Sequence, residues 1–340
     1  MSAQTLMHQE AAESASAVAR MFERNEPDVL RWSSDLRDRP PSVVLTAARG
    51  SSDHAATYAR HLLETRTGTL TSSASPSVNS VYSAEVRLRD ALLLAISQSG
   101  RSPDLLAQVE AARRGGAEVA ALVNDVGSPL AALADRVLPL HAGPERSVAA
   151  TKSFICALAA ALQLTAHWSA DRALLDGLGR LPEQLEMSFA LDWSALVEAL
   201  AESNNLFVLG RGPGLAVAQE AALKLKETCA LHAEAYSAAE VRHGPMTLVG
   251  PGFPVLVFTQ DDASRSATLA LAQEFAERGA RVFCTDPLGP GALPVLTGTH
   301  ALSAPILQIC SFYRAANALA LARGRDPDRP PHLRKVTETV

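Results

Sequence analysis

The same short phrases close apolar strands twice along this chain. Arg49-Gly50 recurs as Arg211-Gly212 and Gln98 as Gln260, each 162 residues further on. Gly116-Ala117-Glu118-Val119 recurs as Gly279-Ala280-Arg281-Val282 at an offset of 163. An offset of 162–163 held at three strand boundaries marks a duplicated unit. It restricts the chain to a fold that can be built twice in 340 residues, a length that suits two ordinary domains.

Each copy reads as α/β. In the first, residues 42–48, 69–72, 91–97, 117–123 and 136–140 are short strands separated by helical stretches. In the second, 205–209 and 254–259 repeat the pattern. Buried apolar strands alternating with helices imply a parallel sheet covered on both faces. Around the strands, 5–37 reads as helix divided at Pro27, 147–168 and 181–202 as long helices, and 305–322 as the last. The stretch 171–182 reads as the connection between the two copies. The expected division is therefore N-terminal helices at 1–37, a first domain at 38–180, a second at 181–323, and a tail at 324–340 carrying Lys335.

Composition narrows the function classes. A formal net charge of −5 and a pI near 6.0 argue against nucleic acid or an anionic membrane as partner. The longest apolar run, 154–166, is too short to span a bilayer, and 1–26 lacks a signal-peptide pattern. The four cysteines are scattered, without a CxxC pair or metal-ligand spacing. They read as reduced core thiols of a cytoplasmic protein that needs no metal. Of 31 basic residues only Lys152, Lys224, Lys226 and Lys335 are lysines. Lysine can form a Schiff base and arginine cannot, so each lysine is a candidate for a task arginine could not perform.

Two stretches carry chemistry. Ser97-Gln98-Ser99-Gly100 stands at the carboxyl end of a strand and opens a helix, with Ser102 just beyond. Free N–H groups, a helix dipole and three hydroxyls suit an anion there, and Gly100 would let a phosphate approach closely. Arg49-Gly50-Ser51-Ser52 follows the first strand and could form the other wall. The matching place in the second copy is Gln260-Asp261-Asp262, whose carboxylates would repel phosphate, so only the first copy should hold one. The second stretch is 219–245. Ala221, Leu225 and Thr228 share one helix face, and Glu220, Lys224 and Glu227 another. Such charges can be solvated i, i+4 pairs, or Glu227 can be a base. His243, with a near-neutral intrinsic pKa, suits proton transfer, though lone histidines are more often structural. The chain has neither a GxxxxGK[ST] loop nor a complete dinucleotide fingerprint, so a nicotinamide cofactor is not expected.

In order, EAALKLKE, HAEAY and HGP resemble the second sugar-isomerase (SIS) domain of the glucosamine-6-phosphate synthase family. The 97–100 loop is similar to that family's phosphate loop, 148–154 to its segment after the first sheet, and 325–335 to its C-terminal tail. The resemblance covers about residues 20–340 and implies two tandem SIS domains, each a flavodoxin-like three-layer α/β/α sandwich. It implies that Ser51, Ser52, Ser97, Gln98, Ser99 and Ser102 bind a hexose 6-phosphate and that Gly50, Val148 and Ala150 line the sugar. It assigns C1–C2 proton transfer to Glu227 and ring opening to His243, contributed by a neighbouring subunit of a homodimer. Lys335, rather than Lys224 or Lys226, matches the lysine that forms a Schiff base with the ketose. No cofactor is implied.

Departures shape the expected reaction. That family's synthases begin with a glutaminase domain whose cysteine follows the initiator methionine; here residue 2 is Ser2 and the first cysteine is Cys156. Only about 40 residues precede the first strand, too few for a further domain. Arg49 stands in place of a cysteine, Ala150 of a serine and Arg334 of an alanine. The expected activity is therefore an SIS-type glucosamine-6-phosphate deaminase giving fructose 6-phosphate and ammonia. The alternatives are an aldose–ketose isomerase or deglycase on another sugar phosphate, a synthase subunit served by a separate glutaminase, and a sugar-phosphate sensor.

Overall fold

A computed structural model describes residues 5–335. Its first half contains α1 (Leu6–Ala12), α2 (Ser14–Asp38), β1 (Val43–Ala47), α3 (Ser51–Arg66), β2 (Thr71–Ser73), α4 (Pro76–Ser80), β3 (Ala91–Ser97), α5 (Pro103–Arg114), β4 (Glu118–Val123), α6 (Pro129–Leu133), β5 (Arg136–Pro139) and α7 (Lys152–Ser169). The second contains α8 (Arg172–Phe189), α9 (Ser194–Leu200), β6 (Asn205–Gly210), α10 (Pro213–Cys229), β7 (His232–Ser237), β8 (Pro254–Val257), α11 (Arg265–Glu277), β9 (Arg281–Cys284) and α12 (Ala304–Ala322). Two 3-10 turns, Glu240–His243 and Pro245–Leu248, follow β7.

By internal packing the chain forms two units. One comprises Ser16–Glu145, Lys152–Leu178 and Arg334–Val340; the other Met1–Ala15, Arg146–Thr151 and Gly179–Leu333. The first holds a five-stranded, all-parallel sheet ordered β2-β1-β3-β4-β5, the flavodoxin-like order. The other holds a four-stranded parallel sheet ordered β7-β6-β8-β9. With β6 set on β1, these four repeat the first four positions of the other sheet. The duplication extends to backbone geometry. Gly50 and Gly212 are both helix N-caps, with φ/ψ of 54°/−131° and 57°/−129°, a region that side chains with a Cβ avoid.

Each sheet owes its stability to apolar residues on both faces. Leu93, Ala95, Val119 and Ala121 meet Leu105 and Val109 of α5 in one core. Leu209, Val255 and Val257 meet Leu271 and Phe275 of α11 in the other. Every residue of β3 is buried, which explains its unbroken apolar run. α7 is buried along almost its whole length, as its uniformly apolar sequence requires. All four cysteines are free and buried, and burial pushes the thiols of Cys156, Cys284 and Cys310 up to about 12 and that of Cys229 to about 11.

Several expected boundaries move. Pro27 does not divide the N-terminal helix: α2 runs through it, because Val18, Met21, Val29, Trp32 and Leu36 continue one buried face on both sides. Burying that face outweighs the roughly 3 kcal/mol that an interior proline costs. The break falls instead at Glu13, the C-cap of α1. The stretch 171–182, expected as a connection, is mostly α8, with Pro182 inside it. The helix expected over 181–202 ends at Phe189 and resumes at Ser194, where Asp192 accepts hydrogen bonds from the Ser194 N–H and hydroxyl. The helix expected from 147 starts at Lys152. Residues 146–148 stay outside the helix: Glu10 accepts their first two N–H groups and the Asp328 carbonyl accepts that of Val148.

Candidate functional site

β1 and β3 are hydrogen-bonded neighbours, with Ala47 opposite Ala95, so the loops leaving their carboxyl ends lie side by side. In the order β2-β1-β3-β4-β5 this is the point where the chain reverses direction across the sheet, the place where open α/β sheets bind ligands. The two hydroxyl-rich segments thus share one edge. Ser51 and Ser52 are the first two residues of α3, both half-buried behind the Gly50 N-cap. Ser97 ends β3 with its side chain buried, and its oxygen accepts the Gly100 N–H at 2.9 Å, leaving its own proton to donate. Ser99 accepts from the Arg101 N–H at 3.4 Å. Gln98 is half-buried beside them. Ser102 is the N-cap of α5 but makes no side-chain capping bond. The Leu105 N–H, which an N-cap oxygen could accept, goes instead to Asp104 Oδ1 at 2.8 Å.

Gly100 is also required by its own surroundings. Its φ is +63°, and a Cβ there would lie 2.2 Å from Ser128 Oγ and 3.1 Å from Val123 Cγ2. The space its missing side chain leaves is taken up by Ser128, at the N-cap of α6. Charge at this edge is largely paired. Arg49 Nε and Nη2 lie 2.7 and 2.5 Å from Asp104 Oδ2 in the first turn of α5. Arg101 pairs with Asp125 at 2.8 Å, and hydrogen bonds from Arg101 and the Gly127 N–H hold that carboxyl below its usual range. Burial raises the Asp53 carboxyl instead.

The tail adds Lys335, a quarter exposed, with Nζ 3.6 Å from Glu145 Oε2. Glu145 is buried and also accepts from the Ser153 N–H and hydroxyl at 3.2 and 2.5 Å.

In the other unit, the equivalent strand end is closed by its own bonds. Gln260 Nε2 donates to the Arg211 carbonyl, Asp262 and Ser264, and Arg265 pairs with Asp286 through Nε at 2.7 Å and Nη2 at 3.0 Å. The titratable groups lie on α10 instead. Lys224 is buried and reaches Glu227 at 2.5 Å and Glu220 at 3.5 Å, while the Tyr313 hydroxyl donates to Glu220 at 2.9 Å. Burial works against the lysine's charge, but the two carboxylates outweigh it and hold its proton more tightly than in an ordinary lysine. The face that could have been solvated is thus a buried triad, with Glu227 as its partly exposed end. In the sequence the rarity of lysine marks Lys224, but the family resemblance sets it aside for Lys335; the alanines and leucines around it were the signal of its burial.

His243 ends the first 3-10 turn and is exposed; its side chain has no hydrogen-bond or ion-pair partner among the described residues. Val148 and Ala150 flank buried Ala149 and are half-buried on the non-helical segment anchored by Glu10 and Asp328. Thus β1 and β3 bring the six phosphate candidates to one edge, and Glu227, His243, Val148 and Ala150 belong to the other unit. Among the described residues no group of three or more His, Cys, Asp or Glu could hold a metal, and no helix is long and apolar enough to cross a membrane.

Comparison with known proteins accords with this geometry. The SIS domain family profile matches residues 39–167 and 199–287, one stretch in each copy of the repeat. A glutamine–fructose-6-phosphate aminotransferase (isomerizing) of Symbiobacterium thermophilum is 36% identical over 86% of this chain and 51% of its own length. The same-named protein of Aeropyrum pernix is 35% identical over 98% of this chain and 57% of its own. The chain therefore spans about half the length of the curated relatives it matches. A crystal structure from Silicibacter pomeroyi, provisionally described as a phosphosugar isomerase, is 46% identical, with a TM-score of 0.92 over 96% of this chain and all of its own. A Thermotoga maritima glucosamine-6-phosphate deaminase shares the fold, with a TM-score of 0.80 at 22% identity over 98% of this chain and all of its own.

Proposed function

The chain belongs to the SIS-domain family, and on that premise we propose that it is a phosphosugar isomerase of this type, acting as a glucosamine-6-phosphate deaminase. The observation that carries the reading is the Glu220–Lys224–Glu227 triad: a partly exposed carboxylate fixed by a buried, charged lysine. A base that must move a proton between adjacent carbons needs one fixed position and access to substrate, and Glu227 has both.

In this reading residues 38–180 anchor the phosphate through Ser51, Ser52, Ser97, Gln98, Ser99 and Ser102, and 181–323 supply proton transfer. The sugar lies against Gly50, Val148 and Ala150. His243, from the neighbouring subunit of a homodimer, protonates the ring oxygen as the C1 hydroxyl loses its proton, giving the open-chain aldehyde. Its exposure, and the absence of a side-chain hydrogen-bond or ion-pair partner among the described residues, support that assignment. Glu227 takes the C2 proton and returns it to C1, converting the amino aldehyde to the C2 imine. Water adds at C2 and ammonia departs, leaving fructose 6-phosphate. Lys335 holds the ketose as a Schiff base or by charge.

The test is ammonia release from glucosamine 6-phosphate by the purified chain, with galactosamine 6-phosphate alongside. Glu227→Gln is expected to abolish exchange of the C2 proton with solvent while retaining substrate binding. Failure of the folded protein to release ammonia at millimolar substrate would exclude the deaminase.

A further inference from the structure

Arg49 stands between the two hydroxyl-rich segments of the first sheet. It lies two residues beyond the end of β1 and precedes Gly50-Ser51-Ser52, while its partner Asp104 lies two residues beyond Ser102. The ion pair therefore spans the crevice between the ends of β1 and β3. Asp104 is fully buried, and its other oxygen accepts the Leu105 N–H at 2.8 Å, so the carboxylate is fixed. Both contacts from Arg49 go to one oxygen, through Nε and Nη2. Nη1 and the second Nη2 hydrogen have no partner among the described residues, and half of the side chain is exposed. A guanidinium has five donors in a rigid fork, and here one edge is anchored while the other is presented. The other cation of the loop, Arg101, is paired with Asp125.

We propose that Arg49 is a ligand of the substrate's phosphate, oriented for that task by Asp104. This rests on the reading that the 97–102 loop binds a phosphate. The buried carboxylate cancels the site's charge when it is empty and holds the fork in place. The phosphate then gains charge-assisted hydrogen bonds that serine hydroxyls and backbone N–H groups alone do not supply. Arg49 thereby makes the site selective for a phosphate ester over the unphosphorylated sugar.

The experiment is calorimetric binding of glucosamine 6-phosphate, glucosamine and inorganic phosphate to the full chain, with melting followed for every variant. Arg49→Ala is expected to weaken glucosamine 6-phosphate and inorganic phosphate by about 10- to 100-fold, the range of a hydrogen bond to a charged group, and to leave glucosamine unchanged. Arg49→Lys should recover part of the loss. Asp104→Asn should weaken phosphate far less than Arg49→Ala; equal losses would mean that Arg49 only braces the loop, and would overturn the proposal. Ser97→Ala and Ser99→Ala separate the two levels of the argument. If they weaken phosphate while Arg49→Ala does not, the ligand role of Arg49 fails and the loop stands. If none of these variants weakens it, the phosphate loop itself is misassigned, and this inference falls with it.

Discussion

At the residue scale the decisive group is Lys224. It is buried between two carboxylates, so its charge is compensated only while both are present. Lys224→Met would keep the volume and leave Glu220 buried without the lysine's charge. Breaking a buried pair from one side costs about 3–5 kcal/mol, and urea unfolding should show a loss of that size. Glu227→Gln removes the partly exposed member and should cost less, because water can reach that end of the triad. The sequence showed the spacing of these three residues but not their burial. An i, i+4 pair looks the same on a wet face as on a dry one, and only the packing of α12 against α10 decides which it is.

Elements make their own demands, and the junction of β3 with α5 shows it. Gly100 joins a left-handed backbone to a close approach by Ser128. Gly100→Ala is expected to destabilise the fold by at least about 2 kcal/mol, the scale of a non-glycine residue held in such a region. Adding Ser128→Gly should recover the steric part and leave the backbone part, which a double-mutant cycle in urea would separate. A second element-level device is the link between α11 and the end of β9. Burial alone would raise the Asp286 carboxyl, but hydrogen bonds from Arg265, the Leu288 N–H and Thr259 outweigh it and depress it. A carboxyl whose folded pKa lies below its unfolded value adds stability above the unfolded value, and that stability is lost as pH falls through the folded one. Asp286→Asn should therefore lower the melting temperature at neutral pH and flatten the acid limb, the two proteins converging at the lowest pH. Parallel curves across the whole range would contradict this.

On the scale of the whole molecule, the proposed division of labour has a consequence for assembly. If Glu227 and His243 of one site come from different subunits, Glu227→Gln and His243→Ala are each inactive alone but complement each other. After the two are mixed and allowed to exchange, half of the dimers are mixed and each of these has one intact site, so activity should return to about a quarter of wild type. No recovery, with subunit exchange verified, would place both residues in one chain.

The repeated strand ends alone determined that the chain folds twice into parallel α/β sheets, because strand burial and turn glycines leave a local imprint. They also brought Ser97–Ser102 and Ser51–Ser52 to strand ends, since a hydroxyl-rich turn after an apolar strand can be read from neighbouring residues. Helix limits were less legible: Pro27 and Pro182 sit inside helices because the faces buried on either side of them outweigh their local cost. What only tertiary structure decided is which polar groups meet. Asp104 reaching Arg49, Ser128 filling the space at Gly100, Glu145 beside Lys335 and Tyr313 on Glu220 all join residues remote in sequence. Hydrogen bonds and ion pairs are short-ranged, so their partners are fixed by the packed chain and not by its spacing.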